Sequence, residues 1–391
     1  MKLAFTLAWR NLIGAGLRTW LNVIVLSFTF VIIIWLKGIL SGWDQQAKND
    51  MKDWEIAGGQ WWHDAYDPFD PLSLESSHAV VPLDSIFTHQ SNAVVPALMV
   101  QASIFPNGRM QQAILKGIPP HQTLLNLPSA LLDTTVNGIP VVIGQTMAKN
   151  MGLSVGDLFT LRWRDRFGSF DAAEAEVVGV FYTNVPAVDQ GLVYLDLAQL
   201  QRMTMFHNEA TILSFHEGFF PENQAVGWKS KTVKELTKQV DEMIKTKSAG
   251  QSVMYLVLLF LAMLAIFDTQ VLSIFRRQRE IGTYIALGYT RPQVVGLFTL
   301  EGSMHAVLAA IAGAFYGIPF LWWQARVGWT LPMDSSEFGM AMAPTLYPVY
   351  SIGLIASTVL LVLLTTTVVS YFPSRKIAKM NPTEALRGKL Q

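Results

Sequence analysis

The sequence predicts a membrane α-helical protein, with four transmembrane helices and a mixed α/β extracytoplasmic domain inserted between helices 1 and 2. Three observations predict this. Apolar residues make up 51% of the 391 and charged residues only 15%, against about a quarter charged in ordinary soluble domains. Four stretches, at 20–40, 252–275, 294–323 and 349–372, are mostly apolar, and each reaches the roughly twenty residues that cross hydrocarbon as a helix. Between the first and second of them, residues 41–250 have globular composition and are numerous enough to form a domain with its own core.

In chain order, residues 1–19 come first. Phe5, Ala8, Trp9, Leu12 and Ile13 recur at three- and four-residue spacing opposite Lys2, Thr6 and Arg10, which predicts a cytoplasmic amphipathic helix along a membrane surface. Transmembrane helix 1 follows at 20–40. Its apolar run exceeds a signal-peptide core and no A-x-A-like site follows it, so it is predicted to stay as an anchor. Residues 41–250 form the extracytoplasmic domain. Its first part, 43–71, is polar and turn-rich. Short β-like runs then occupy 78–83, 92–105, 109–118, 139–144, 158–164, 173–181, 191–197 and 210–215, rich in Val, Ile and Phe and bounded by Pro, Gly and Asn. QTMAKNMGL, with Gly152 as its C-cap, and LAQLQRMTM predict helices. Residues 226–250 alternate charges at helical spacing and predict a solvated helix leading into the second span. Residues 251–372 hold helices 2–4, and 373–391 form a cytoplasmic tail.

Charge position sets the expected orientation, since basic residues collect on the cytoplasmic side of short loops. Arg276, Arg277, Arg279 and Arg291 stand against Glu280 between spans two and three. Arg375, Lys376, Lys379, Arg387 and Lys389 stand against Glu384 in the tail. Residues 41–250 instead hold 15 basic and 23 acidic residues, a net of −8, and the link at 324–348 has Arg326 against Asp334 and Glu337. Both termini are therefore expected in the cytoplasm. The 29 basic and 29 acidic residues of the whole chain balance, which gives no basic footprint for a nucleic-acid partner. There is no cysteine, so disulfides and thiolate chemistry are excluded.

Three groups of residues are candidates for function. The stretch IFRRQREIGTYIALG at 274–288 turns abruptly from a span to a cluster of arginines. Here Gly282 and Gly288 permit a tight turn or close backbone approach. Asp268, Glu301 and His305 are polar residues inside predicted spans, where such groups are costly and by default functional. Glu301 and His305, four apart, share a helix face; they suit either a proton relay or interhelical hydrogen bonding, the second being the simpler role. Trp54, Trp61, Trp62, Tyr66 and Phe69 suit cargo or partner contact if exposed and simple packing if buried. His63, Asp64, Asp67 and Asp70 sit in a Pro-rich loop and read as solvated, so no metal is expected. No hydrolase or nucleophile motif occurs, and no G-x-x-x-x-G-K-[ST] phosphate loop either. The chain is not expected to be an enzyme.

The order of one anchor, a large domain and three closely spaced spans resembles the FtsX/MacB/LolE-type permeases of ABC transporters. The phrases AILKGIPP, VVIGQTMAKNMGLSVGDLFTL, VVGVF, RRQREIGTYIALGYTRPQVVGLFTLEG and YFPSRKIAKMNPTEALR carry the resemblance, and VVIGQTMAKNMGLSVGD is nearest the LolC/LolE branch. It implies a MacB-like periplasmic domain at 41–250, an FtsX-like permease domain at 251–372 and a place in the bacterial inner membrane. It also implies that Arg276, Arg277, Arg279, Glu280, Gly282, Gly288, Thr290 and Arg291 couple to a separate ABC ATPase subunit, which would bind ATP and Mg, with no cofactor held by this chain. A second permease copy or related subunit, membrane lipids and a lipoprotein or periplasmic adaptor are the further partners implied. Lipoprotein or lipid release is the first function expected. Efflux of small molecules or peptides, or FtsX-like regulation of a cell-wall hydrolase without transport, is the alternative. Asp268 departs from the amide or small polar residue common in that family, and a proton-coupled carrier is a third reading resting on it and Glu301.

Overall fold

The structure, a computed structural model, describes residues 17–82, 93–219, 225–330 and 343–379. The amphipathic helix expected before Leu17, the end of the 78–83 run, the acidic part of the 324–348 link and the tail beyond Lys379 lie outside the described residues. The chain divides into two compact units: residues 1–43, 244–330 and 345–391 in one, and 44–243 with 331–344 in the other.

The first unit is helical. Among the described residues four helices are long and apolar enough to cross a membrane: α1 (Leu17–Met51), α6 (Lys238–Arg276), α8 (Arg291–Val327) and α9 (Ile352–Ser374). A short helix, α7 (Gln278–Ala286), joins α6 to α8. Lipid removes the hydrophobic drive for helices to associate with one another, so close packing must supply it. The residues at the contacts fit that demand. On α9 the buried positions recur every four residues as Thr358, Val362, Thr366, Ser370 and Ser374. A Cβ placed on Gly302 of α8 would strike the Ser370 side chain and the Gln270 amide. Asn22 of α1 donates to the Thr269 hydroxyl of α6 at 2.5 Å.

The second unit holds the strands β1 (Gln60–His63), β2 (Ala79–Val80), β3 (Val94–Phe105), β4 (Gln111–Ile118), β5 (Ile139–Gly144), β6 (Leu158–Arg164), β7 (Phe170–Phe181), β8 (Leu192–Asp196), β9 (Glu209–Ala210), β10 (Ile212–Phe215) and β11 (Trp228–Lys231). Nine of them form one sheet in the order β11-β1-β10-β3-β4-β8-β5-β7-β6. Because β3 also pairs with β6, the six strands from β3 to β6 close into a ring. Alternation explains what fills it. Leu98, Val100, Ala102 and Ile104 of β3 point into one core with Leu115, Val141, Ile143, Leu161 and Val193, while Ala97 and Met99 point to a second core on the other face. Two parallel pairings, β4 with β8 and β5 with β7, make the sheet mixed. Short helices α2 (Gln145–Met151), α3 (Pro186–Asp189) and α4 (Leu197–Thr204) cover it. Gly152 ends α2 at φ 63°, as its sequence position predicts.

The structure corrects two stretches. Residues 43–71, read as polar and turn-rich, begin as the end of α1 and carry the paired strand β1. Residues 226–250 are not one helix: Trp228–Lys231 is the edge strand β11, paired antiparallel with β1, followed by a single turn α5 (Val233–Leu236) and then α6. Trp228 is buried while Lys229 stays outward, and lysines are suited to a sheet edge. The Thr232 side chain accepts from the Glu235 backbone N–H in a capping box, which starts the helical segment at Val233, seven residues later than charge spacing predicts. A pair of two-residue strands, β12 (Trp329–Thr330) and β13 (Thr345–Leu346), belongs to the helical unit.

Candidate functional site: the basic elbow between α6 and α8

The elbow is a folded element. Helical geometry lapses at Arg277 (φ −103°, ψ 20°) and resumes as α7. Gly288, at φ 96°, lets the chain turn after α7, with the Tyr289 N–H donating to the Tyr284 carbonyl. The Thr290 N–H then donates to Gln293 Oε1 at 2.9 Å, and Pro292 stands in the first turn of α8, where a missing N–H costs nothing. Ile274, Ile281, Val294, Val295, Phe298 and Ile377 form a buried cluster beneath it.

Arg277 is the centre of this arrangement. Its Nη1 donates to both carboxylate oxygens of Glu301, at 2.7 and 2.8 Å. Its Nε and Nη2 each reach Glu280 at 2.6 Å, and its guanidinium lies 4.8 Å from the centre of the Phe298 ring. The Tyr284 hydroxyl donates to Glu280 Oε1 at 2.9 Å. A guanidinium forks into two carboxylates in this way because its donors are planar and fixed. Burial acts to lower the Arg277 pKa, but the hydrogen bond it donates to Glu280 and the charge of Glu301 raise it above the ordinary arginine value. The hydrogen bond from Arg277 holds the Glu280 carboxyl below the usual carboxylate range.

The eight elbow residues singled out from sequence therefore separate into two sets. Arg276, Arg279, Gly288, Thr290 and Arg291 are exposed. Arg277, Glu280 and Gly282 face inward or sit half-buried. The three arginines do not act alike as surface cations. The helix break turns Arg277 inward, where Glu301, 6% exposed, would otherwise be a carboxylate without a counter-charge. The pairing spans 24 residues, and nothing local in the sequence signals it. Leu287, 72% exposed, and Tyr289 also lie on the outward side and were not among the sequence candidates.

The remaining candidates scatter. The carboxylate of Glu301 goes to Arg277, not to His305; His305 Nδ1 faces the carbonyls of Glu301 and Gly302 at 3.2 Å. Asp268 is exposed on α6. In the second unit Trp61 is 1% exposed and packs edge-on against Phe215, so it contacts neither cargo nor partner. Trp54 stacks on Phe181 and Trp62 meets Tyr66 edge-on, all as half-buried or buried rings. Phe69 alone of the five is largely exposed, at 77%. Burial pushes the Tyr66 phenol up to about 12. Among the described residues no group of three His, Cys, Asp or Glu is arranged to hold a metal.

Residues 252–382, which include the elbow and the three spans around it, match the family described as FtsX-like permease C-terminal. The chain is 21% identical over 360 residues to the lipoprotein-releasing system transmembrane protein LolC of Xylella fastidiosa, covering 81% of this chain and 86% of that one. The chain thus carries an FtsX-like permease domain and is similar to ABC permeases of the FtsX/MacB/LolE type. Two macrolide export ATP-binding/permease proteins MacB are also similar. That of Chromobacterium violaceum is 26% identical over 157 residues, 38% of this chain and 22% of the relative. That of Rhodopirellula baltica is 28% identical over 156 residues, 40% of this chain and 20% of the relative. The LolC likeness thus runs through most of this permease, and the MacB likenesses through a part of it.

Proposed function

We propose that this permease works with a separate ABC ATPase, in a bacterial inner membrane with both termini cytoplasmic, to release lipoprotein or lipid cargo at the membrane's outer face. The observation that carries this reading is the braced elbow. Arg277, Glu280 and Glu301 lock α7 onto α8, leaving Arg276, Arg279 and Leu287 on the outward side as a mixed basic and apolar face for the ATPase. A brace of this kind transmits displacement because packed elements move as bodies. In this reading nucleotide-driven closure of the ATPase shifts α7, and α6 and α8 carry the shift as levers. At about 1.5 Å per residue, the 39 residues of α6 run well beyond roughly 30 Å of hydrocarbon.

The choice of lipoprotein or lipid over other cargo is supported by the breadth of the LolC likeness. The MacB likenesses favour efflux of small molecules or peptides as the second reading. Two measurements test the proposal. Charge reversal at both Arg276 and Arg279 is expected to abolish copurification of the ATPase while membrane insertion persists; unchanged copurification overturns the docking assignment. The chain has no cysteine, so Phe167→Cys and Leu287→Cys each supply a single label. The first is expected to react only from outside the cell membrane and the second only from the cytoplasm, and the opposite pattern overturns the orientation.

A further inference from the structure

We propose that the cleft between the start of α8 and the end of α9 binds one anionic phospholipid, with Arg291 and Arg375 taking its phosphate and the apolar walls taking an acyl chain. The cleft measures about 720 Å³, within the range of ligand-binding sites. Arg291 and Arg375 stand at its mouth, and among the described residues no acidic side chain lines it. Its walls are greasier than their composition suggests. Thr299, Ser303 and Thr367 line it, but each hydroxyl donates to a carbonyl of its own helix, to Val295, Leu300 and Leu363 respectively. Pro292, Val295, Leu300 and the Tyr371 ring supply the rest of the wall.

Length argues for a lipid over a soluble partner. Along α8 the lining runs from Arg291 to Ser303, which is roughly 18 Å at 1.5 Å per residue. Half of a 30 Å hydrocarbon core is about 15 Å. A cationic mouth above an apolar slot one leaflet deep matches a phospholipid in both charge and reach. Arginines next to a span at an anionic leaflet each contribute about as much as is needed to select such lipids over neutral ones.

The inference rests on the helices spanning a membrane and does not depend on ATPase coupling. It is tested on the full chain reconstituted without nucleotide in vesicles of phosphatidylcholine with phosphatidylglycerol, followed by native mass spectrometry of retained lipid. The expected result is one phosphatidylglycerol held in preference to phosphatidylcholine. R291Q with R375Q together should lower that retention about thirtyfold. Gly296 lines the cleft, and a Cβ added there meets nothing within 4 Å among the described residues. Gly296→Trp should therefore fill the slot and remove the lipid while leaving the detergent melting temperature near wild type. Equal retention of both lipids, or retention indifferent to either change, overturns the proposal. A photocrosslinker on Gly296→Cys gives a second arm: lipid adducts support the site, whereas adducts only to protein, whether a second copy or the ATPase, overturn it. A failed ATPase-coupling experiment would leave all these results unchanged.

Discussion

Leu115 in the ring of strands and Ser370 in the helical unit are both wholly buried, yet for different physical reasons. Leu115 leaves water for a core of Leu98, Val141, Ile143, Leu161 and Val193, and the gain scales with apolar area removed from water. Ser370 gains little that way, since lipid is as apolar as any core. It is buried because α8, with Gly302 at the crossing, comes close enough that nothing larger fits. One unit is thus held by bulk and the other by its lack, so the two should fail under opposite changes.

The largest effect is expected where the helical unit departs from its own rule, at its charged brace. Arg277→Ala leaves Glu301 buried without a counter-charge and should cost about 3–5 kcal/mol, read as a fall in the detergent-unfolding midpoint. Leu115→Ala should cost the ring about 2–5 kcal/mol by leaving a cavity, measured by denaturant titration followed through tryptophan emission. Gly302→Leu, an enlargement at the crossing, should cost the helical unit about 1–3 kcal/mol through overpacking against Ser370. If Gly302→Leu stabilises instead, the close-packing account of α8 and α9 is wrong. The smallest effect is pH-dependent. The Glu280 carboxyl is held below its ordinary value of 4.5 by Arg277. Its contribution is therefore present above that pH and lost as pH falls through its folded value. Unfolding midpoints compared at pH 7 and pH 4 should drop for the wild type and drop less for Glu280→Gln.

The spans and strands β3 to β8 are legible in the sequence because each is a run of one periodicity closed by Gly, Pro or a polar cap. Gly152 is legible for the same reason, since only a left-handed position at a helix end calls for it. The two strands at one end of the sheet, β11 and its neighbour β1, are not. Gln60–His63 has no alternation of apolar and polar residues, and Trp228–Lys231 carries two lysines that mimic the charge spacing of the helix after it. Their pairing with each other across 165 residues makes them strands. The elbow was legible as a place but not as a mechanism. Its arginines announce a membrane boundary, while the assignment of Arg277 to Glu301 depends on a helix break and a tertiary approach that no local pattern encodes. Trp61 shows the same limit, because exposure of an aromatic ring is settled by its partner Phe215 and not by its neighbours in sequence.

The position of β8 has a consequence for how this molecule is made. Residues 192–196 lie between β4 and β5, so two strands already synthesised have no neighbour on one side until a third arrives from much later in the chain. At about 5–20 residues per second of translation, Val141 and its companions must wait for seconds with unpaired backbone before the ring can shut. Newborn chains are thus open to wrong pairings during that interval. A helper that holds extended segments apart would act in that window, before Leu192 emerges, and have little to grasp afterwards.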